Sequence, residues 1–229
     1  MKTEYIIGIL KNVSIFNQLD DENLELLSKK FVFQKIPKDT VIFKENDLGN
    51  QMFVIISGVV EVFKEYRKKR KTLALLKRND FFGEISVFTS LPRTASVQTL
   101  SNSEIIVLDQ SDLINIIKNN YKFSLNLIKV LSERLINANA EIQSLTFKNV
   151  QGRAATQILL LANKFGYKTK QGILLEIKTP HKLLAEIVGI QRETMTRILS
   201  QFKEEDIIET YSKHLIIKDI EKLVNYTFK

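Results

Sequence analysis

The sequence predicts an α+β chain in three parts: a strand-rich N-terminal half, one long helix, and a C-terminal head of short helices closed by a β segment. Three observations carry this reading. Short runs of β-branched and aromatic residues, broken by turn formers, occupy the stretch from about Phe31 to Asp109. From Ile128 the apolar spacing changes to alternating steps of three and four. Beyond Thr179-Pro180, two amphipathic patterns flank Gly189, the layout of two helices joined by a tight turn.

Composition supports a folded chain. Its 229 residues are 44% hydrophobic and 26% charged, with 3 Pro and 8 Gly, enough for one large or two moderate cores. The absence of cysteine excludes disulfides, thiolate cluster ligation and cysteine nucleophiles. No apolar run is long enough to span a bilayer, and Met1-Lys2-Thr3-Glu4-Tyr5 lacks the apolar core of a secretory signal, so the expected location is cytoplasmic, away from membrane. A net charge of +8 suits a polyanionic partner. Its distribution does not say which half binds one, because residues 151–229 hold 13 bases and 9 acids, only half of the surplus.

The elements follow in order. Asp20–Lys30 reads as an amphipathic helix. Met52–Phe63 reads as two strands broken at Gly58, and Thr72–Leu76, Ala95–Leu100 and Glu104–Leu108 as further strands of a compact antiparallel sandwich or barrel. Lys64–Lys71, with six bases against Glu65, falls in a hairpin between two of them. Its plain reading is a solvated tip; contact with RNA polymerase, DNA phosphates or an acidic partner is the functional one. A helix from about Phe123 to Leu145 carries the seam Ile128, Leu131, Leu135, Ala138, Ile142, Leu145. So narrow a stripe suits either a helix lying on the barrel or the parallel helix of a homodimer. The hinge falls at Phe147-Lys148-Asn149, giving parts 1–120, 121–147 and 148–229. A helix over Gly152–Lys164, a strand over Ile173–Ile177 and a β signal at His214–Ile217 complete the head.

Thr179-Pro180 marks a helix start, with Thr179 as the side-chain cap and Pro180 in the first turn. Gly189 supplies the left-handed turn, and a second helix begins at about Gln191. Met195, Ile198, Leu199 and Phe202 form its inner stripe. Glu193, Thr196, Arg197 and Ser200 fall on the opposite face, with Arg192 beside them. That face suits the major groove: Arg192 and Arg197 can each give two donors to guanine, and Glu193 can accept from cytosine N4. The plain alternative is a solvated face with an i,i+4 pair between Glu193 and Arg197.

Leu184–Leu199, with Gly189, Arg192, Glu193 and Arg197 in place, resembles the helix-turn-helix of the CRP/FNR family of bacterial transcription regulators, and Gly152-Arg153 resembles the same family. The resemblance implies a β-roll of the cyclic-nucleotide-binding type, a dimerisation helix and a C-terminal winged helix-turn-helix. It implies base contacts by Arg192, Glu193 and Arg197, with Gln191, Thr196 and Ser200 alongside, on an inverted repeat of TGTGA-like half-sites in double-stranded DNA. RNA polymerase is then an expected partner. With no Cys an oxygen-sensing cluster is excluded, and His181 and His214 both lie in the head, which speaks against a haem sensor.

Phe81-Phe-Gly-Glu-Ile-Ser86 and Pro92-Arg-Thr-Ala-Ser-Val97 resemble the family's phosphate-binding cassette. Arg93, Thr94 and the backbone at Gly83 would hold a cyclic phosphate, and Glu84 a ribose hydroxyl. Arg134 matches the family arginine that links cassette to helix. In relatives that bind no cAMP, Glu84 and Arg93 would instead form a barrel salt bridge. Where the cAMP receptor carries Thr and Ser to read the base, this chain has Ala138 and Asn139, and of the two only Asn139 offers a polar side chain. The resemblance thus implies a cyclic nucleotide, cAMP or another, as a possible effector, and Ala138 and Asn139 leave its identity open. The competing reading is a cyclic-nucleotide-binding module acting on a protein partner. No nucleophile–base pair, metal cluster or Gly-rich phosphate loop points to an enzyme.

Overall fold

The computed structural model describes residues 2–228, so Met1, part of the N-terminal stretch read against a secretory signal, lies outside it. The chain divides into two compact units, one built on residues up to 64 together with 73–136, the other on 65–72 together with 137 onward.

In the first unit, α1 (Lys2–Leu10) and α2 (Asp21–Ser28) precede β1 (Val32–Ile36), β2 (Val41–Phe43), β3 (Gln51–Ser57), β4 (Val60–Tyr66), β5 (Lys69–Leu76) and β6 (Phe81–Phe82). Then come α3 (Glu84–Thr89), β7 (Ser96–Thr99), β8 (Ser103–Asp109), α4 (Gln110–Asn119) and α5 (Tyr121–Phe147), whose C-terminal residues belong to the second unit. The strands make two antiparallel sheets of order β1-β8-β3-β6 and β2-β7-β4-β5, the sandwich expected. Central β3 and β8 are apolar at consecutive positions because both faces are covered. Phe53, Ile55, Ile105 and Val107 point to the layer between the sheets, while Met52, Val54, Ile56, Ile106 and Leu108 face the helices. Asp20 caps α2 by accepting from the Asn23 N–H at 2.9 Å, and that bond holds its carboxyl below the usual carboxylate range.

α1 and α4 were not anticipated, whereas α5 covers the 121–147 span expected of the long helix. Phe123 and Leu127 on α5 are buried against the first core, with Val130 packed on it, while Ile128, Leu131 and Leu135 stay exposed. The helix thus carries two stripes: one lies on the barrel and the other is the seam.

In the second unit, α6 (Val150–Phe165) leads to β9 (Gly166–Thr169), β10 (Gly172–Leu175), α7 (His181–Val188), α8 (Arg192–Glu204), β11 (Ile208–Tyr211), β12 (His214–Ile217) and α9 (Ile220–Tyr226). The strands form one antiparallel sheet, β11-β12-β10-β9. Asn149 ends the hinge as the cap of α6, accepting from the Gly152 N–H at 2.8 Å, so this helix starts two residues earlier than its apolar pattern indicated. The strand expected to reach Ile177 stops at Leu175, where the Glu176 N–H turns to the Phe165 carbonyl. β9 and α9 went unread.

One expectation is overturned. Thr179 does not cap α7; it is buried, and its N–H and hydroxyl both go to the Lys213 carbonyl, at 2.7 and 3.4 Å. A partner distant in sequence has taken the side chain that local geometry would use as a cap. Gly189 behaves as read: at φ 77° it closes α7 with its N–H on the Ala185 carbonyl at 2.8 Å, a conformation costing about 1–2 kcal/mol for a residue with Cβ. Met195, Ile198, Leu199 and Phe202 are buried, and the Phe202 ring meets Tyr226 edge-on at 4.7 Å. Tyr226 is buried too; its hydroxyl donates to Glu205, and this burial, aided by the Glu205 carboxylate, pushes its pKa up.

Candidate functional site

The inner stripe of α8 leaves the outer face no choice. With Met195, Ile198 and Leu199 in the core, Gln191, Arg192, Glu193, Arg197 and Ser200 stand in solvent and Thr196 is half-buried beside them. Among the described residues, Arg192, Glu193 and Arg197 enter no ion pair, so the i,i+4 pair that would have neutralised the face is not made. Glu193 lies in the first turn, where the helix dipole favours a carboxylate. Thr196 is the one engaged member: its hydroxyl oxygen lies 2.9 Å from Nδ1 of His181, the first residue of α7.

The cassette is built differently. Gly83, at φ 82°, turns β6 into α3 and aims its carbonyl at Arg93, whose Nη1 donates at 2.9 Å; a Cβ on Gly83 would sit 2.8 Å from that nitrogen. Arg93 is 5% exposed, with its guanidinium 4.2 Å above the Phe43 ring and 5.5 Å from that of Phe53. Its Nε is buried without a partner. Burial pulls the Arg93 pKa down, while Glu84 and Asp47 pull it back up. The Arg93 backbone clamps the neighbouring loop, donating to Asp47 and accepting from Asn46, both at 2.8 Å.

Glu84 is buried, and its Oε1 accepts from Arg134 Nη1 at 2.6 Å. Arg134 also donates to the Phe81 carbonyl at 2.7 Å and lies over the Phe81 ring at 4.4 Å. The barrel salt bridge considered between Glu84 and Arg93 is therefore not the pairing adopted: Arg134 takes the carboxylate, and Arg93 keeps to carbonyl and rings. Thr94 is exposed, and Asn139 is exposed on α5 in the second unit. Sequence reasoning passed over Gly49 and Phe43. A Cβ on Gly49 would lie 2.2 Å from Arg93 Nε, so a side chain here would displace the guanidinium from the place it occupies.

The basic hairpin splits. Its tip, Arg67 and Lys68, is exposed and left-handed at φ 48° and 65°, and Lys64 pairs with Glu45 at 2.8 Å. Lys71, within the second unit, is half-buried and engaged: it reaches Glu141 at 3.0 Å and the Ile187 carbonyl at the end of α7. The solvated-tip reading fits the tip alone. On α5, Ile128, Leu135 and Ile142 are each about 60% exposed, and Leu131, Ala138 and Leu145 are exposed with them. No helix is long and apolar enough to cross a membrane among the described residues.

Comparison with known proteins meets this geometry from outside. The cyclic nucleotide-binding domain family matches residues 33–120, and the Crp-like helix-turn-helix domain family matches residues 152–226. The CRP-like cAMP-activated global transcriptional regulator of Mycobacterium tuberculosis is 30% identical over 216 residues, covering 94% of this chain and 96% of its own. The cyclic AMP receptor protein of Thermus thermophilus is 29% identical over 200 residues, covering 87% and 89%. A solved structure of a CooA variant from Carboxydothermus hydrogenoformans superposes with a TM-score of 0.75 at 31% identity, over 87% of this chain and 88% of that one. A cyclic-nucleotide-binding β domain, a long helix and a Crp-like reading head in one chain, at this identity over this length, place the protein in the CRP/FNR family of transcription regulators, whose members are not enzymes.

Proposed function

We propose that this chain acts as a cytoplasmic homodimer that reads an inverted repeat of TGTGA-like half-sites and is controlled by a small anionic effector of the cyclic-nucleotide class. The observation that carries the DNA reading is the outer face of α8, where Arg192, Glu193 and Arg197 stand exposed and outside any ion pair among the described residues. Arg192 and Arg197 match guanine O6 and N7, Glu193 matches cytosine N4, and Gln191, Thr196 and Ser200 flank them. The exposed seam from Ile128 to Leu145 supports the dimer, since a monomer gains nothing by presenting six aligned apolar positions to water. RNA polymerase is the partner through which such a regulator would act.

Selection of bound duplexes from a random pool tests this reading. The expected product is an inverted repeat with half-sites about 34–36 Å apart. Recovery of no preferred sequence would favour instead a module acting on a protein partner.

The effector reading rests on Arg93. A buried guanidinium with an unpartnered Nε, in a cradle that a Cβ at Gly49 would fill, suits an anion better than it suits the interior alone. Gly83, Glu84, Thr94, Arg134 and Asn139 complete the proposed set. The Mycobacterium tuberculosis relative, cAMP-activated by name, supports the cyclic-nucleotide class. Thermal shifts across cyclic mono- and dinucleotides test it: a stabilisation that disappears in Arg93→Ala is expected, and no response to any of them would sink the cassette as a nucleotide site.

A further inference from the structure

Thr196 reads as one more polar side chain on the DNA-facing helix, but it is held by a residue outside that helix. His181 Nδ1 lies 2.9 Å from Thr196 Oγ1 across fifteen residues of sequence. The two come together because Gly189 folds α7 back onto α8, with Leu183, Leu184, Ile187 and Val188 buried in the same core as Met195, Ile198 and Leu199. Both side chains are half-buried, so each keeps one side to solvent.

We infer that His181 is a positioning residue of the DNA interface: it fixes the Thr196 hydroxyl and sets whether that hydroxyl offers the DNA a donor or an acceptor. This rests on the reading of the α8 face as the DNA-contacting surface.

The chemistry follows from the two groups. A threonine hydroxyl has one hydrogen and two lone pairs. When Nδ1 carries a hydrogen, it donates to Thr196 and the hydroxyl hydrogen is turned outward. When Nδ1 is bare, Thr196 donates to the ring and presents only lone pairs. The state of Nδ1 depends on what Nε2 does, since each ring nitrogen's role is set by the bond the other makes. An acceptor such as a phosphate oxygen on Nε2 holds a hydrogen there; in the neutral ring that leaves Nδ1 bare, and Thr196 becomes an acceptor beside Arg197. A contact outside the groove would then alter what is read inside it.

Amide side chains separate this role from others. Asn places its polar atoms at the position of Nδ1, and Gln at the position of Nε2. In full-length protein, duplex selection and quantitative gel shifts are run on the wild type, His181→Ala, His181→Asn, His181→Gln, Thr196→Val and the His181→Ala/Thr196→Val double variant. Loss of one neutral hydrogen bond corresponds to roughly fivefold in affinity for the preferred duplex. His181→Ala and Thr196→Val are each expected to lose about that factor, and the double variant no more than either. His181→Asn should restore the wild-type base preference while His181→Gln does not.

Three results would overturn the inference: multiplicative losses in the double variant, rescue by Gln and not by Asn, or equal weakening of His181→Ala on every duplex. A variant whose melting temperature drops is replaced in the comparison by Thr196→Ser, which keeps the hydroxyl and should keep the preference. If the wild type itself selects no sequence, the DNA reading fails; if it selects one that His181→Ala selects unchanged, only the positioning role fails.

Discussion

The reading head and the cassette are both built around arginine and glutamate, yet they handle these residues in opposite ways. On α8, Arg192, Glu193 and Arg197 point into solvent and pair with nothing among the described residues. In the cassette, Glu84 and Arg93 are buried and already bonded, to Arg134 and to the Gly83 carbonyl. A charge held in water costs little to keep and is available to a partner at once. A buried charge must be satisfied inside the protein, so any ligand has to exchange for an existing bond. Within the cassette, Arg93 Nε stands outside this rule, buried and unpartnered among the described residues. The DNA face is thus set by the packing behind it, and the cassette by the bonds within it.

The largest test strikes the packing. Phe202 is fully buried on the inner stripe of α8, away from the polar outer face. Phe202→Ala should cost about 3–5 kcal/mol in denaturant unfolding and weaken DNA binding with all three polar residues intact. Unchanged stability would mean that α8 does not depend on its inner stripe.

Next comes the face itself. Arg197→Ala should lose about 1–3 kcal/mol of discrimination at one guanine while non-specific binding holds. Gel shifts on sequence variants measure this, and uniform weakening would point to phosphate contact instead.

A smaller effect is expected at Glu84. Glu84→Gln keeps the shape and an acceptor oxygen but removes the negative charge facing Arg134, whose side chain is 37% exposed and can still be hydrated, so the cost should be on the order of 1 kcal/mol. A midpoint shift in urea reads it. A loss far beyond this would mean that solvent does not compensate Arg134 once the carboxylate charge is gone.

The alkaline limb distinguishes the two units. Tyr226 has its pKa raised in the fold, first by burial and then by Glu205. Its neutral form is favoured when folded, so this contribution is complete below the ordinary tyrosine value of about 10 and fades as pH rises through the higher folded value. Unfolding of the second unit above that range should be blunted in Tyr226→Phe, while the first unit follows the wild type. Smallest of all is Thr94→Ala: this exposed side chain should leave stability within about 0.5 kcal/mol and change only the response to an anionic effector.

Much of this was legible along the chain. The runs at β3 and β8, the alternating steps on α5, and the Gly189 turn between two apolar stripes each follow from periodicity and backbone sterics, which act over a few residues. The start of α8 and the bounds of β12 were read almost as they stand. Less visible were α1, β9 and α9, short elements held by packing more than by propensity. The hairpin turns at Arg67-Lys68 and Ser212-Lys213 gave no Gly or Asn signal, because neighbouring strands impose the left-handed backbone on them.

What the sequence determined by itself was the outer face of α8. Once Met195, Ile198, Leu199 and Phe202 turn inward, helical geometry alone puts Arg192, Glu193 and Arg197 outside. What only the tertiary structure decided was which partner each shared side chain takes. Glu84 went to Arg134 instead of Arg93, Thr179 to the Lys213 carbonyl instead of the α7 terminus, and Thr196 to His181. The competing partners lie 34 or 50 residues away in some of these cases. A polar group pairs with whatever the fold brings within about 3 Å, and that distance is settled by the packing of whole elements.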